Sequence, residues 1–239
     1  MKELNRILND AKTIVFIDFE GTQFSQEIIA IGAIKVTLDS KNYVKTSFPP
    51  FKCFIKARAK VGGIIEDLTG INDQMLQKEG LSFIDGIQKL EKYVGSTTSI
   101  KFFTYGSFDM KLLHETSSQN NLIKNFFIDK IYKNHIDFAS FMSRYIRSIH
   151  NEQLSLQDAL KTFNITPKGN AHDPVYDAIN LMLLYDGFTK ERNIVKKEYE
   201  NVLLMNPKLP APLLKAFRKI MNNEIVTKKD IENYIDLEL

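Results

Sequence analysis

The stretch "VFIDFEGT", residues 15–22, places two carboxylates at the end of an apolar, β-branched run. With Thr13 and Ile14 before it, "TIVFIDF" (13–19) reads as a strand, because β-branched and aromatic side chains suit a pleated surface. Successive strand side chains point to opposite faces, so Asp18 and Glu20 share one face about two residue rises apart. A strand this apolar belongs inside a sheet, where two like charges side by side are costly without a positive partner. The alternative is a strand that ends at Ile17 and leaves both acids in solvent.

Outward from this stretch, residues 27–38 ("EIIAIGAIKVTL") and 51–57 ("FKCFIKA") read as a second and a third strand. Between them "DSKNYVKTSFPP" (39–50) is a polar turn closed by a proline corner. Three strands joined by turns predict an antiparallel meander. The period then changes. "IEDLTGINDQMLQKEG" (65–80) reads as two helical turns broken at Gly70 and ended at Gly80. In "SFIDGIQKLEKYVG" (82–95), Phe83, Ile87, Leu90 and Val94 fall at helical spacing between an N-cap at Ser82 and a stop at Gly95. "SIKFFTY" (99–105) is a fourth strand, followed by a helix from near Asp109. "FASFMSRYIRSI" (138–149), "LQDALKTF" (156–163) and a long segment to about residue 188 read as further helices. This order predicts an α/β architecture, a mixed sheet with helices packed on it. Beyond residue 190 strand patterns vanish. "NPKLPAPLL" (206–214) reads as a rigid hinge before two short helices, which divides the chain into a domain over 1–190 and a helical extension over 191–239.

Composition sets the class. Of 239 residues 44% are hydrophobic and 26% charged, which suits a globular protein with a proper core. No apolar run reaches the ~18–20 residues of a membrane span. The N-terminal segment mixes acids with bases and lacks a small-residue cleavage site, so a secretion signal is not expected and a cytoplasmic location is. The single cysteine, Cys53, excludes an internal disulfide and any paired-cysteine metal site, and its apolar neighbours make it an inert buried residue. The net charge of +3 neither requires nor excludes nucleic acid. An enzyme that grips one strand end through metal ions needs fewer lysines than one that wraps a duplex.

Two more acids lie at element ends. Asp109, in "FFTYGSFDMKLL" (102–113), on its own reads as an ordinary helix cap. In "GNAHDPVYDAINLMLL" (169–184), Asp173 fits an N-cap and Pro174 the first helical position. Asp177 then lies one turn in, on the side of Leu181 and Leu184, while His172 sits on the preceding loop, free to swing. Three distant segments thus deliver carboxylates that converge if the first and fourth strands are neighbours. Four acids without cysteine suit Mg²⁺ or Mn²⁺. Two such ions roughly 4 Å apart can clamp a phosphodiester, one activating water and the other stabilising the leaving oxygen. A histidine, with an ordinary pKa of about 6.5, suits removal of the water's proton.

The D-x-E of "DFEGT", the acid of "YGSFD" and the H-x₄-D of "HDPVYD" together resemble the three motifs of the DEDDh 3′–5′ exonucleases. That family includes polymerase proofreading subunits, ribonuclease T, oligoribonuclease and histone-mRNA-type exoribonucleases. "QEIIAIGAIKV" and "LTGINDQML" resemble further segments of it, so the resemblance covers about residues 12–190. It implies a ribonuclease-H-like mixed five-stranded sheet flanked by helices, with the remaining strand in "KNHIDF" (133–138). It also implies two Mg²⁺ or Mn²⁺ ions: Asp18 bridges both, Glu20 and Asp177 complete one site, and Asp109 supports the other. His172 would be the general base, acting with Glu20 on the 3′ end of single-stranded RNA or DNA and releasing nucleoside 5′-monophosphates. Gly21 and Thr22 would bring backbone near the ribose 3′-OH. Phe24, Ile71 and Phe108 would pack against terminal bases, although for each the residue pattern favours a place in the core.

There are departures from the family pattern. Ala30 stands where many relatives carry glutamate, Asp173 is one acid more than the chemistry needs, and 191–239 matches nothing transferable. That extension leaves open a regulatory or polymerase-associated subunit acting through a protein partner, and a homodimer. A ribonuclease-H-type endonuclease would share the sheet and acids, but H-x₄-D favours end-trimming. No residue decides between RNA and DNA.

Overall fold

Burial along the first strand alternates between two cores, and this alternation aims the acids. The structure, a computed structural model, describes residues 2–205 and 209–237. A short helix α1 (Lys2–Leu8) leads into strands β1 (Thr13–Gly21), β2 (Ile28–Leu38), β3 (Val44–Ser47) and β4 (Phe51–Phe54). Helices α2 (Gly63–Thr69), α3 (Asp73–Glu79) and α4 (Phe83–Val94) precede β5 (Ile100–Thr104). Then come α5 (Phe108–Gln119), α6 (Phe126–Lys133), β6 (His135–Asp137), α7 (Phe138–Met142), α8 (Leu156–Thr162) and α9 (Pro174–Lys190). The chain continues through α10 (Arg192–Leu204), α11 (Ala211–Met221) and α12 (Lys228–Asp236).

From β1, Ile14 and Phe16 enter one core, with Phe103 of β5 and Leu181, Leu184, Tyr185 and Phe188 of α9. Val15, Ile17 and Phe19 enter the other, with Ile87 and Leu90 of α4, Leu112 and Leu113 of α5, and Phe127 of α6. Asp18 and Glu20 continue the first row, so they emerge on the face that α9 covers. The sheet is mixed: β1 runs antiparallel to β2 and parallel to β5, and β5 runs parallel to β6.

The sheet has six strands where the sequence predicts five. β3 pairs with Val36–Leu38 and β4 with Ala30–Ala33, so the two share the outer edge of the long β2 and the sheet is five positions wide. β3 falls within the predicted polar turn. Its Lys45, Thr46 and Ser47 are exposed and carry no apolar alternation to mark a strand. β6 forms inside "KNHIDF", as expected. The helix expected over 138–149 stops at Met142, and α1, α6 and α10 form where no helix is expected.

Part of the expected hinge, 206–208, lies outside the described residues. α10 packs against the main body. Its Val195 is buried in the same core as Phe188, and its Tyr199 ring lies 5.3 Å from that of Tyr145. Among the described residues no helix is long and apolar enough to cross a membrane.

Candidate active site

Parallel pairing of β1 and β5 brings their C-terminal ends to one edge of the sheet, the usual place for a ligand crevice in an α/β fold. The acids of β1 face small partners on β2: Asp18 pairs with Gly32 and Glu20 with Ala30. These leave room for the start of α9. A Cβ on Gly32 would lie 2.1 Å from the Pro174 carbonyl carbon, so the helix rests directly on the strand backbone. This contact sets Asp177, in the first turn of α9, over Asp18 and Glu20.

Asp173 caps α9, accepting the Val175 N–H at 3.0 Å, and its other oxygen receives Lys52 Nζ of β4 at 2.6 Å. The extra acid of the sequence therefore ties the helix start to the sheet edge. The His172 backbone lies in the left-handed region at φ 63°, and its N–H donates to Asp177 Oδ2 at 2.8 Å. The imidazole itself is exposed.

Asp109 arrives through a sharp turn at Gly106, whose φ of 108° suits glycine. The Thr104 hydroxyl donates to the Gly106 carbonyl at 2.6 Å, and Gly106 N–H donates to Asp137 Oδ1 at 3.1 Å. Asp109 is not the cap that its place in the sequence suggested. It sits inside the first turn of α5, buried, and accepts the Phe19 N–H of β1 at 2.8 Å.

The electrostatics follow from this crowding. Burial, then Asp109, Glu20, Asp177 and Asp173, hold the Asp18 carboxyl well above the usual carboxylate range. Glu20 is pushed up to about 8 by burial and by Asp177, Asp109 and Asp173, with Lys52 opposing. Asp109 rises to about 7 through burial, against hydrogen bonds from Phe19 and its own backbone. Burial also raises Asp177, against the hydrogen bond from His172. Four carboxylates that all resist ionisation together fit a site built around positive charge. Glu20, His172 and Asp177 each bring a ligand atom to within 4.8 Å of the others.

These groups line a cavity of about 580 Å³. Asp18, Glu20, Asp109, His172 and Asp177 are all on its wall, as is Phe108, which is 55% exposed. The other proposed substrate contacts are not. Gly21 packs on the Leu112 side chain, and the buried Thr22 accepts the Glu27 N–H at 3.0 Å. Phe24 is exposed and does not line the cavity, and Ile71 is buried with Ile29, Ala30, Val61 and Leu76. Sequence reasoning missed Ile65, Leu68 and Thr69 of α2, Tyr105, and Ser155–Leu156–Gln157 at the start of α8. Leu68 is 49% exposed, and nothing in its local pattern separates such a leucine from a core one. The Ala30/Gly32 pair was the available clue: two small residues at period two, facing the acids.

Residues 15–185 match the RNase T family of exonucleases. The chain belongs to that family of exonucleases, and its mixed sheet flanked by helices is the fold those nucleases share. No curated protein sequence matches it. Among solved structures it is similar to the nuclease domain of 3′hExo, a DEDDh family member bound to rAMP. The TM-score is 0.62 and the identity 18%, over 76% of this chain and 94% of that one. It is also similar to cell-death related nuclease 4, with TM-score 0.58 and 17% identity over 77% of this chain and 64% of that one. The E. coli exonuclease I complex with single-stranded DNA, in its zinc-bound form, gives TM-score 0.59 and 17% identity, over 85% of this chain and 46% of the other. At these identities the likeness is one of fold.

Proposed function

We propose that this protein trims single-stranded nucleic acid from the 3′ end and releases nucleoside 5′-monophosphates. Asp18, Glu20, Asp109 and Asp177 would hold two Mg²⁺ or Mn²⁺ ions, and His172 would be the general base. The observation that carries this reading is the convergence of Glu20, His172 and Asp177 within 4.8 Å, on the wall of one cavity with Asp18 and Asp109. When bound, the ions would neutralise the phosphate and help to activate the attacking water.

The chain's own groups divide the remaining work. Asp18, Glu20, Asp109 and Asp177 would hold the ions, with Asp18 central among the other acids. The exposed His172 ring, beside Glu20 and Asp177, would take the water's proton on a ring nitrogen. Ile65, Leu68 and Phe108 offer apolar surface for a terminal base, which makes the seat tolerant of sequence. A cavity of about 580 Å³ suits a ligand of nucleotide size.

The test is a 5′-labelled single strand incubated with Mn²⁺, in matched RNA and DNA forms. A ladder of shortened products is expected, abolished by chelator and by Asp18→Asn. Intact strands, identical to both controls, would remove the proposal.

One observation favours an added role for 191–239. Leu213, Ile220, Ile225, Ile235 and Leu237 are exposed on or beside α11 and α12. The extension would dock a protein partner or a second copy, as a proofreading subunit does. Light scattering of the full chain against one ending at residue 205 separates self-association from docking to another protein.

A further inference from the structure

Asn180 is a buried amide on α9, 4% exposed, on a helix that otherwise buries Leu181, Leu184 and Phe188. Its Oδ1 accepts the Lys168 N–H at 2.8 Å, and its Nδ2 donates to the Lys168 carbonyl at 3.0 Å. One side chain thus takes both backbone groups of a loop residue, as a neighbouring strand would. The next residue, Gly169, has φ 59° and lies against the Tyr176 ring, where a Cβ would come within 2.1 Å of ring carbons. Three residues later the His172 N–H donates to Asp177 Oδ2 at 2.8 Å. Segment 168–172 is therefore fastened at three points to the first two turns of α9, through Asn180, Tyr176 and Asp177. The sequence alone suggested a loop free to swing. The structure gives that loop an anchored backbone and leaves the imidazole exposed.

The amide is not explained by packing. A helix interior favours leucine over asparagine, and a buried amide is costly unless its donor and acceptor are both used. Here both are used, and both on the loop that carries the histidine.

We propose that Asn180 is a positioning residue for His172: it fixes the loop backbone so that the imidazole stays at working distance from Glu20 and Asp177. This rests on the reading of His172 as general base. A displacement of about 1 Å at such a group costs on the order of 10²-fold in rate.

The experiment is a kinetic cycle with Asn180→Leu and His172→Ala on an oligonucleotide substrate. Asn180→Leu is expected to lower kcat by about 10–100-fold with KM within about 2-fold, and to speed hydrogen exchange at the Lys168 amide. In the His172→Ala background the same change should add nothing, because the two act through one ring. Gly169→Ala, an exposed change that cannot empty the core, should give the same pattern and decides the matter if Asn180→Leu fails to fold. Losses that multiply in the double variant overturn the proposal. So does full kcat in Asn180→Leu or Gly169→Ala while His172→Ala is impaired. Wild-type turnover in His172→Ala would instead remove the general-base reading, and this proposal with it.

Discussion

Asp18 faces Asp109, Glu20 and Asp177 at once, and this crowding makes the metal-free protein sensitive to pH. A carboxyl whose pKa is raised on folding holds its proton longer in the folded chain than in the unfolded one. The stability it allows is full below its unfolded pKa and is lost as pH rises through the folded value. With Glu20 raised from 4.5 to about 8 and Asp109 from 3.8 to about 7, the melting temperature in chelator should fall across that window. Saturating Mn²⁺ should flatten the fall, because cations replace the protons. A flat chelated profile would contradict the crowding. Asp18→Asn removes one of the like charges. It should raise the metal-free melting temperature by a few °C, on the order expected for about 1 kcal/mol, while cutting turnover by about 10²-fold or more. Differential scanning fluorimetry and a product ladder read the two effects. His172→Ala should lose on the order of 10²-fold in kcat, as for a general base.

At the scale of elements, α9 decides the site, and Gly32 decides where α9 sits. Gly32→Ala would put a methyl group into the Pro174 carbonyl, and neither backbone can yield cheaply. The expected outcome is a loss of about 1–3 kcal/mol in denaturant unfolding and a fall in kcat on the order of 10²-fold, since Asp177 moves with the helix. Unchanged kcat would mean that α9 is not held by this contact. Strongly periodic segments could be read from sequence: Ser82 accepts the Asp85 N–H, Gly95 ends α4, and Asp173 and Pro174 start α9. The acids also stand on the elements assigned to them. β3 could not be read, because an edge strand with exposed Lys45, Thr46 and Ser47 is held by its ladder to β2 and not by side-chain burial. α6 and α1 are short, and their burial is supplied by the body they pack against.

For the whole molecule, the question is where the nuclease body ends. A boundary at 190 follows the loss of strand pattern, yet Val195 of α10 is buried beside Phe188. A chain ending at residue 190 should therefore melt below one ending at 205, and both should be compared with the full chain by calorimetry. Equal melting temperatures for the two truncations would place α10 with the extension. The sequence by itself determined the chemistry available: four carboxylates and one histidine, each on an identifiable element end, and the period of the strands that carry Asp18 and Glu20. Local pattern suffices there because strand alternation and helix capping act within a few residues. Only the tertiary structure decided which of these groups meet, that α2 and α8 line the cavity, that Gly21, Thr22 and Ile71 are buried outside its lining, and that the His172 loop is pinned through Asn180. Those outcomes depend on helix-to-sheet distance and on hydrogen bonds between segments far apart in the chain, and no periodicity along the chain encodes them.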